Sequence, residues 1–181
     1  MTSAAELRHL RTRAMCAFTR RVDKIVGGGA HPRRIVGEVA GCLGELLTQP
    51  RVLAPAHLLP APDRYRQHLV HVDPHGRYSV VSLVWLPGQR TPIHSHRCWC
   101  VVGVLRGKEE EIRYDLDPRS RGLHRRDVVV NPVGSVSALV PPERDIHLVR
   151  NAGSTLAVSV HVYGADIGRL GSSIDTIYSS D

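Results

Sequence analysis

Aromatic side chains are scarce in this 181-residue chain, which has one Phe, two Trp and five Tyr. Proteins that hold single-stranded nucleic acid stack bases on such rings, so their scarcity argues against that partner. The basic excess does not restore it. Lys and Arg outnumber Asp and Glu by 24 to 17, but they are scattered through "LRHLRTR", "HPRR" and "DPRSRGLHRR" rather than gathered in one patch. A net charge of +7 suits the attraction of small anionic substrates instead. Cysteine is also sparse: Cys16, Cys42, Cys98 and Cys100 are too few and too uneven for a disulfide framework. Reduced thiols in a reducing compartment are expected. No apolar run approaches the ~20 residues of a membrane span. The opening "MTSAAELRHL" lacks the features of a secretory signal, so the expectation is a cytoplasmic protein with no membrane partner. Internal repeats, low-complexity tracts and a phosphate-cradling glycine motif are missing as well.

What is present falls into two textures within one expected domain, residues 1–181. Residues 1–60 read as a helical layer. A first helix is expected over roughly the first 27 residues, with Ser3 and Glu6 as a capping box and Leu7, Leu10, Ala14, Phe18, Val22 and Ile25 at helical spacing. "GGGAHPRR" stops it. A second helix runs from about Pro32 to Thr48, with Ile35, Val36, Val39, Leu43, Leu46 and Leu47 on its apolar stripe. A proline-punctuated connector follows. Residues 62–170 then break into short β-type runs such as "RYSVVSLVWL", "EEIRYDL", "RDVVVNP" and "LAVSVHVYG", the pattern of an antiparallel sandwich or small barrel. The fold class expected is mainly β, a barrel with an N-terminal helical layer.

The chemistry concentrates in "RTPIHSHRCWCVVGVLRG", residues 90–107. Alternation along a strand would send His94, His96, Cys98 and Cys100 to one side, so that two imidazoles reach a common point, as two metal ligands do. Near the C-terminus, "SVHVY" puts Ser159, His161 and Tyr163 on one face of a strand whose other face is valine. Buried hydroxyls and an imidazole in a row need partners, which makes a hydrogen-bonded network the natural reading.

The spacing Gly88, His94-x-His96, Cys100, Gly107 resembles the first motif of the cupin superfamily, with Cys100 where many cupins carry glutamate. Pro141, His147 and Asn151 resemble the second motif, with Glu143 in the place of its glycine. The resemblance implies a jelly-roll barrel that holds one metal through His94, His96 and His147. Without the glutamate, three neutral imidazoles leave a divalent cation its full charge and open positions suited to a thiolate and O2. More narrowly, the chain resembles the thiol dioxygenases, cysteine dioxygenase and 3-mercaptopropionate dioxygenase. This resemblance implies Fe(II) as cofactor, and both atoms of O2 added to the sulfur of a small thiol carboxylic acid to give a sulfinic acid.

In that family a Ser-x-His-x-Tyr strand stands beside the iron, which implies catalytic roles for Ser159, His161 and Tyr163. A cysteine at the place of Cys100 is thioether-linked to the tyrosine in some members; here Cys100 is either so linked or a small apolar filler. The residue two after a tyrosine reads the substrate carboxylate, arginine in most cysteine dioxygenases and glutamine in the 3-mercaptopropionate type. That residue is Gln67, although a one-residue shift would put Arg66 there. Gln67 favours 3-mercaptopropionate, with L-cysteine the alternative and a non-catalytic ligand-binding cupin a further one. Arg169 and Arg90 are candidates to help hold the carboxylate.

Overall fold

The computed structural model describes residues 11–120, 122–142 and 145–179. Helix α1, Arg13–Gly27, starts where the Thr12 hydroxyl accepts from the Met15 N–H at 3.1 Å. The capping pair Ser3 and Glu6, with Leu7 and Leu10, lies outside the described residues. Helix α2, Pro32–Leu47, takes Pro32 in its first turn and buries Ile35, Val36, Val39, Leu43 and Leu46, the stripe expected from sequence. A 3-10 turn, Pro55–Leu58, follows. It buries His57.

Ten strands follow: β1 Arg66–Val72, β2 Ser79–Trp85, β3 Ile93–His96, β4 Cys100–Arg106, β5 Lys108–Leu116, β6 Leu123–Pro132, β7 Val136–Leu139, β8 His147–Arg150, β9 Ala157–Tyr163 and β10 Ile174–Tyr178. A short helix, α3, Ile167–Leu170, precedes the last. Two five-stranded antiparallel sheets result, ordered β1-β2-β9-β4-β7 and β10-β3-β8-β5-β6. The chain is thus mainly β with an N-terminal helical layer, as expected.

The first sheet is covered on both faces, which is why β2 and β9 are buried at every position. Outward, Val158, Val160 and Val162 of β9 join Met15, Phe18 and Leu43 of the helices in one dry core. Burying such a side chain stabilises the fold by roughly 1.5–3 kcal/mol. Gly103 on β4 permits the close approach: a Cβ there would stand 2.9 Å from Leu47 and 3.0 Å from Leu43 of α2. Inward, Val81, Leu83 and Trp85 of β2 meet Cys100 and Tyr163 in a second cluster that borders a cavity.

One expectation is corrected. His94 to Cys100 do not form a single strand. β3 ends at His96, the chain bends, and β4 begins at Cys100 in the other sheet. Cys100 therefore reaches the cavity by crossing the sandwich, whereas Cys98 sits in the bend, packed against the cluster but off the cavity lining.

Candidate active site

β3 and β8 lie side by side, and His94 stands directly opposite His147. Alternation points His96 the same way. The three rings converge with centroids 4.7, 4.8 and 4.9 Å apart, and one nitrogen of each lies within 4.8 Å of the others. All three residues are buried. The His94 Nδ1–H donates to the Pro92 carbonyl at 3.0 Å, and the His147 Nδ1–H donates to Glu111 Oε1 at 2.8 Å. His96 Nδ1 is 3.8 Å from Asp145 Oδ2, too far for a direct bond; that oxygen accepts instead from the His96 backbone N–H at 2.9 Å. Fixing the Nδ1 side of His94 and His147 leaves each Nε2 lone pair for a shared ligand.

Charge follows the same logic. Burial, then the neighbouring His147 and His96, push the His94 pKa down to about 3, and burial lowers that of His96. These imidazoles stay neutral in the physiological range, the form that binds metal. Glu111 feels burial most strongly, which pushes its pKa up, but hydrogen bonds from His147 and Arg113 prevail and hold it at about 2. It is a carboxylate, placed one hydrogen bond behind His147. Three converging imidazole nitrogens backed by such a carboxylate fit a divalent transition metal, with room left for exogenous ligands.

Across the cavity the first sheet presents its polar row. The Ser159 hydroxyl lies 2.9 Å from His161 Nε2, and the Tyr163 hydroxyl 3.0 Å from His161 Nδ1. The Trp85 indole N–H donates to Ser159 Oγ at 3.4 Å. Burial first, then the three facing histidines, lower the His161 pKa to about 3, so its ring is neutral and carries one N–H to share between two neighbours. Burial likewise keeps Tyr163 and Cys100 protonated, pushing both pKa values well above their ordinary range. Cys100 and Tyr163 are directly opposite one another on β4 and β9.

The cavity between the sheets has a volume of about 250 Å³. It gathers His94, His96, His147, Cys100, His161 and Tyr163, with Gln67 on its lining; Ser159 stands behind His161. Gln67 pairs with Leu83, which also lines the cavity, while Arg66 alternates to the opposite face, so the register favours the glutamine. Arg169 lies elsewhere, in a separate surface depression with Arg20, Asp23 and Asp166, because the turn into α3 carries it away from the sandwich. Arg90 is off the lining too. The arginines that do line the cavity are Arg113 and Arg126, held by Glu111 and Asp115 at 2.9 Å each. Neither His68 nor His71 lines the entrance.

Several residues here went unnoticed in the sequence. Tyr65, stacked on Trp85 at 4.5 Å, had a signal, since it lies two before Gln67. Glu109 and Glu111 had none. In "KEEEIRYDL" the alternation rule points Ile112 inward and the glutamates out, whereas the strand does the reverse.

Comparison with known proteins gives a likeness of fold and a family. A protein with a double-stranded β-helix domain from Klebsiella pneumoniae has the same fold, with a TM-score of 0.51 at 18% identity over 65% of this chain and 92% of that one. A Cupin 2 conserved barrel domain protein from Salinispora arenicola aligns with a TM-score of 0.46 at 16% identity over 68% of this chain and 93% of that one. The family model for cysteine dioxygenase type I matches residues 57–169, a stretch that holds the three histidines, Cys100 and the Ser-His-Tyr row, and the chain belongs to that family.

Proposed function

We propose that the chain works as one unit in the cytoplasm, as an Fe(II)-dependent dioxygenase of a small thiol carboxylic acid, 3-mercaptopropionate by preference. The observation that carries the reading is the meeting, across one cavity, of three imidazoles converging on a point and the Ser159, His161 and Tyr163 row. Iron held by His94, His96 and His147 would supply open positions for thiolate and O2 and the one-electron steps that let them react.

The protein's own groups do the rest. Gln67 offers a neutral amide to the substrate carboxylate, a weaker and less charge-selective hold than an arginine fork. Arg126, at the rim, adds positive charge that is already partly balanced by Asp115. Tyr163 offers a hydroxyl to the reacting end, oriented by His161, and Leu83 and Trp85 keep that end dry. The thiol sulfur gives up the four electrons that O2 takes, and both oxygen atoms end on sulfur, so no external reductant enters. Cys100 acts on Tyr163, which it faces. A thioether between them would release two hydrogens to an oxidant such as O2, and intact mass after reduction, compared with Cys100→Ser, distinguishes it from a free thiol.

The test is oxygen uptake by the anaerobically iron-loaded protein with 3-mercaptopropionate and L-cysteine side by side, with product masses. Uptake and a gain of two oxygens on the thiol acid, with little on cysteine, is the expected result, and Gln67→Arg should then shift the preference towards cysteine. Faster turnover of cysteine overturns the substrate assignment. A fully iron-loaded protein that consumes no oxygen with either overturns the dioxygenase reading in favour of a ligand-binding cupin.

A further inference from the structure

Glu109 takes no part in the scheme above, yet it is 2% exposed and lines the cavity. It projects from β5, in the second sheet, towards the relay on the first, where the Ser159 hydroxyl and the Trp85 indole N–H are the donors that act on its carboxyl. Its Oε1 has no hydrogen-bond partner among the described residues. An ionised carboxylate so placed is expensive to bury, and a salt bridge is the usual remedy. None is formed among the described residues. We propose that Glu109 is the far end of the relay, and that the proton it holds or lacks decides whether Tyr163 presents a hydrogen-bond donor to the cavity.

The argument follows the hydrogens one at a time. When Glu109 is ionised it accepts from the Ser159 O–H. Ser159 Oγ then accepts from His161 Nε2–H at 2.9 Å, and His161 Nδ1 accepts from the Tyr163 O–H at 3.0 Å. The tyrosine proton is turned inward, and only its oxygen lone pairs face the cavity. When Glu109 is protonated each bond reverses. The carboxyl O–H donates to Ser159, Ser159 donates to His161 Nε2, and His161 Nδ1–H donates to the Tyr163 oxygen, so the phenol O–H is released from His161 and can turn to Ser173 or to a ligand lying before the three histidines. One proton at Glu109 thus becomes one donor at Tyr163, with His161 neutral in both states. Trp85 can donate to Ser159 Oγ in either arrangement, and so far as its N–H turns to Glu109 it favours the ionised carboxylate.

The surroundings suit a group that changes state near neutrality. Around Glu109 stand Ser159 and, behind it, His161 from β9, Trp85 from β2, Asn131 opposite on β6, and Glu111 on its own strand. Burial is the largest influence and Glu111, of like charge, adds to it; against the hydrogen bonds from Ser159 and Trp85 they raise the Glu109 pKa to about 7. No cation is among the described groups that act on it.

This inference rests on the relay reading of Ser159, His161 and Tyr163, and its test needs neither substrate nor oxygen. Nitrogen-15 spectra of histidine-labelled full-length protein, metal-free and then zinc-loaded, separate the Nδ1–H from the Nε2–H tautomer, with His161 assigned by its loss in His161→Gln. Between about pH 5 and 9 the metal-free His161 should pass from mainly Nδ1–H to mainly Nε2–H. A cation across the cavity favours the ionised carboxylate, so zinc should move the change to lower pH. In Glu109→Gln the tautomer should be independent of pH. Ser159→Ala, which cuts the chain between carboxyl and ring, should abolish the change as well and serves if the first variant fails to fold. A wild-type tautomer that ignores pH, or a transition that persists in both variants, overturns the proposal. Should the tautomer behave as described while no thiol is oxidised, the dioxygenase reading fails and this one stands.

Discussion

Glu109 and Glu111 are the same side chain, two residues apart on the same face of β5, and they are driven in opposite directions. Both are buried, and in both burial pushes the pKa up. Glu111 has Arg113 at 2.9 Å and the His147 N–H at 2.8 Å, and it is held at about 2; Glu109 has only a hydroxyl and an indole, and rises to about 7. Burial alone therefore does not fix the charge of an inward carboxyl. Whether a cation or a charge-sharing imidazole is in reach decides it. Of two neighbours on one face, Glu111 supplies permanent negative charge to the histidine cluster, and Glu109, on the proposal above, an adjustable proton to the relay.

The sharpest way to break the comparison is to remove what Glu111 serves. His147→Ala should reduce bound iron, measured by elemental analysis after loading and desalting, from stoichiometric to background. Next in size is the carboxylate itself. Glu111→Gln keeps the shape but loses the charge behind His147, and should weaken metal binding roughly 10–100-fold in a chelator competition. Glu109→Gln should weaken it less, by no more than the factor by which zinc shifts the Glu109 titration, and equal losses in both variants would erase the distinction drawn between them.

Glu109 should declare itself in stability. A carboxyl whose pKa is raised on folding contributes stability that is fully present below its unfolded value and is lost as pH rises through its folded value. Between about pH 4.5 and 7 metal-free wild type should lose on the order of 3 kcal/mol relative to Glu109→Gln, read from urea unfolding at a series of pH values. Parallel curves would mean that the carboxyl does not titrate there. The smallest effect belongs to the dry face of the first sheet. Gly103→Ala forces Leu43 and Leu47 aside and should cost about 1–3 kcal/mol, with the His161 tautomer still following pH.

What could be read from the sequence divides along a physical line. The helix stripe of α2, the valine face of β9 and the His94-x-His96 pair follow periodicities set by the backbone, and the structure keeps them. The meeting of His147 with His94 depends on strand pairing across more than fifty intervening residues and was reached only through the family motif. The inward glutamates were hidden because a polar cavity inverts the rule that apolar residues face in. The bend after His96 was hidden too, since "HSHRCWC" alternates as smoothly as an unbroken strand. Arg169 drew notice as a cation near the family's motifs, and three-dimensional placement alone separates it from Arg113 and Arg126.

The three histidines belong to one sheet and the Ser-His-Tyr row to the other, so different strand pairings place the two groups. β5 is the exception, because its pleat sets the orientation of Glu109 and Glu111 together. One residue inserted just ahead of them would turn both carboxylates out to solvent in a single event. A slipped pleat in β5 would thus remove both carboxyls from the cavity at once, where a point substitution removes one.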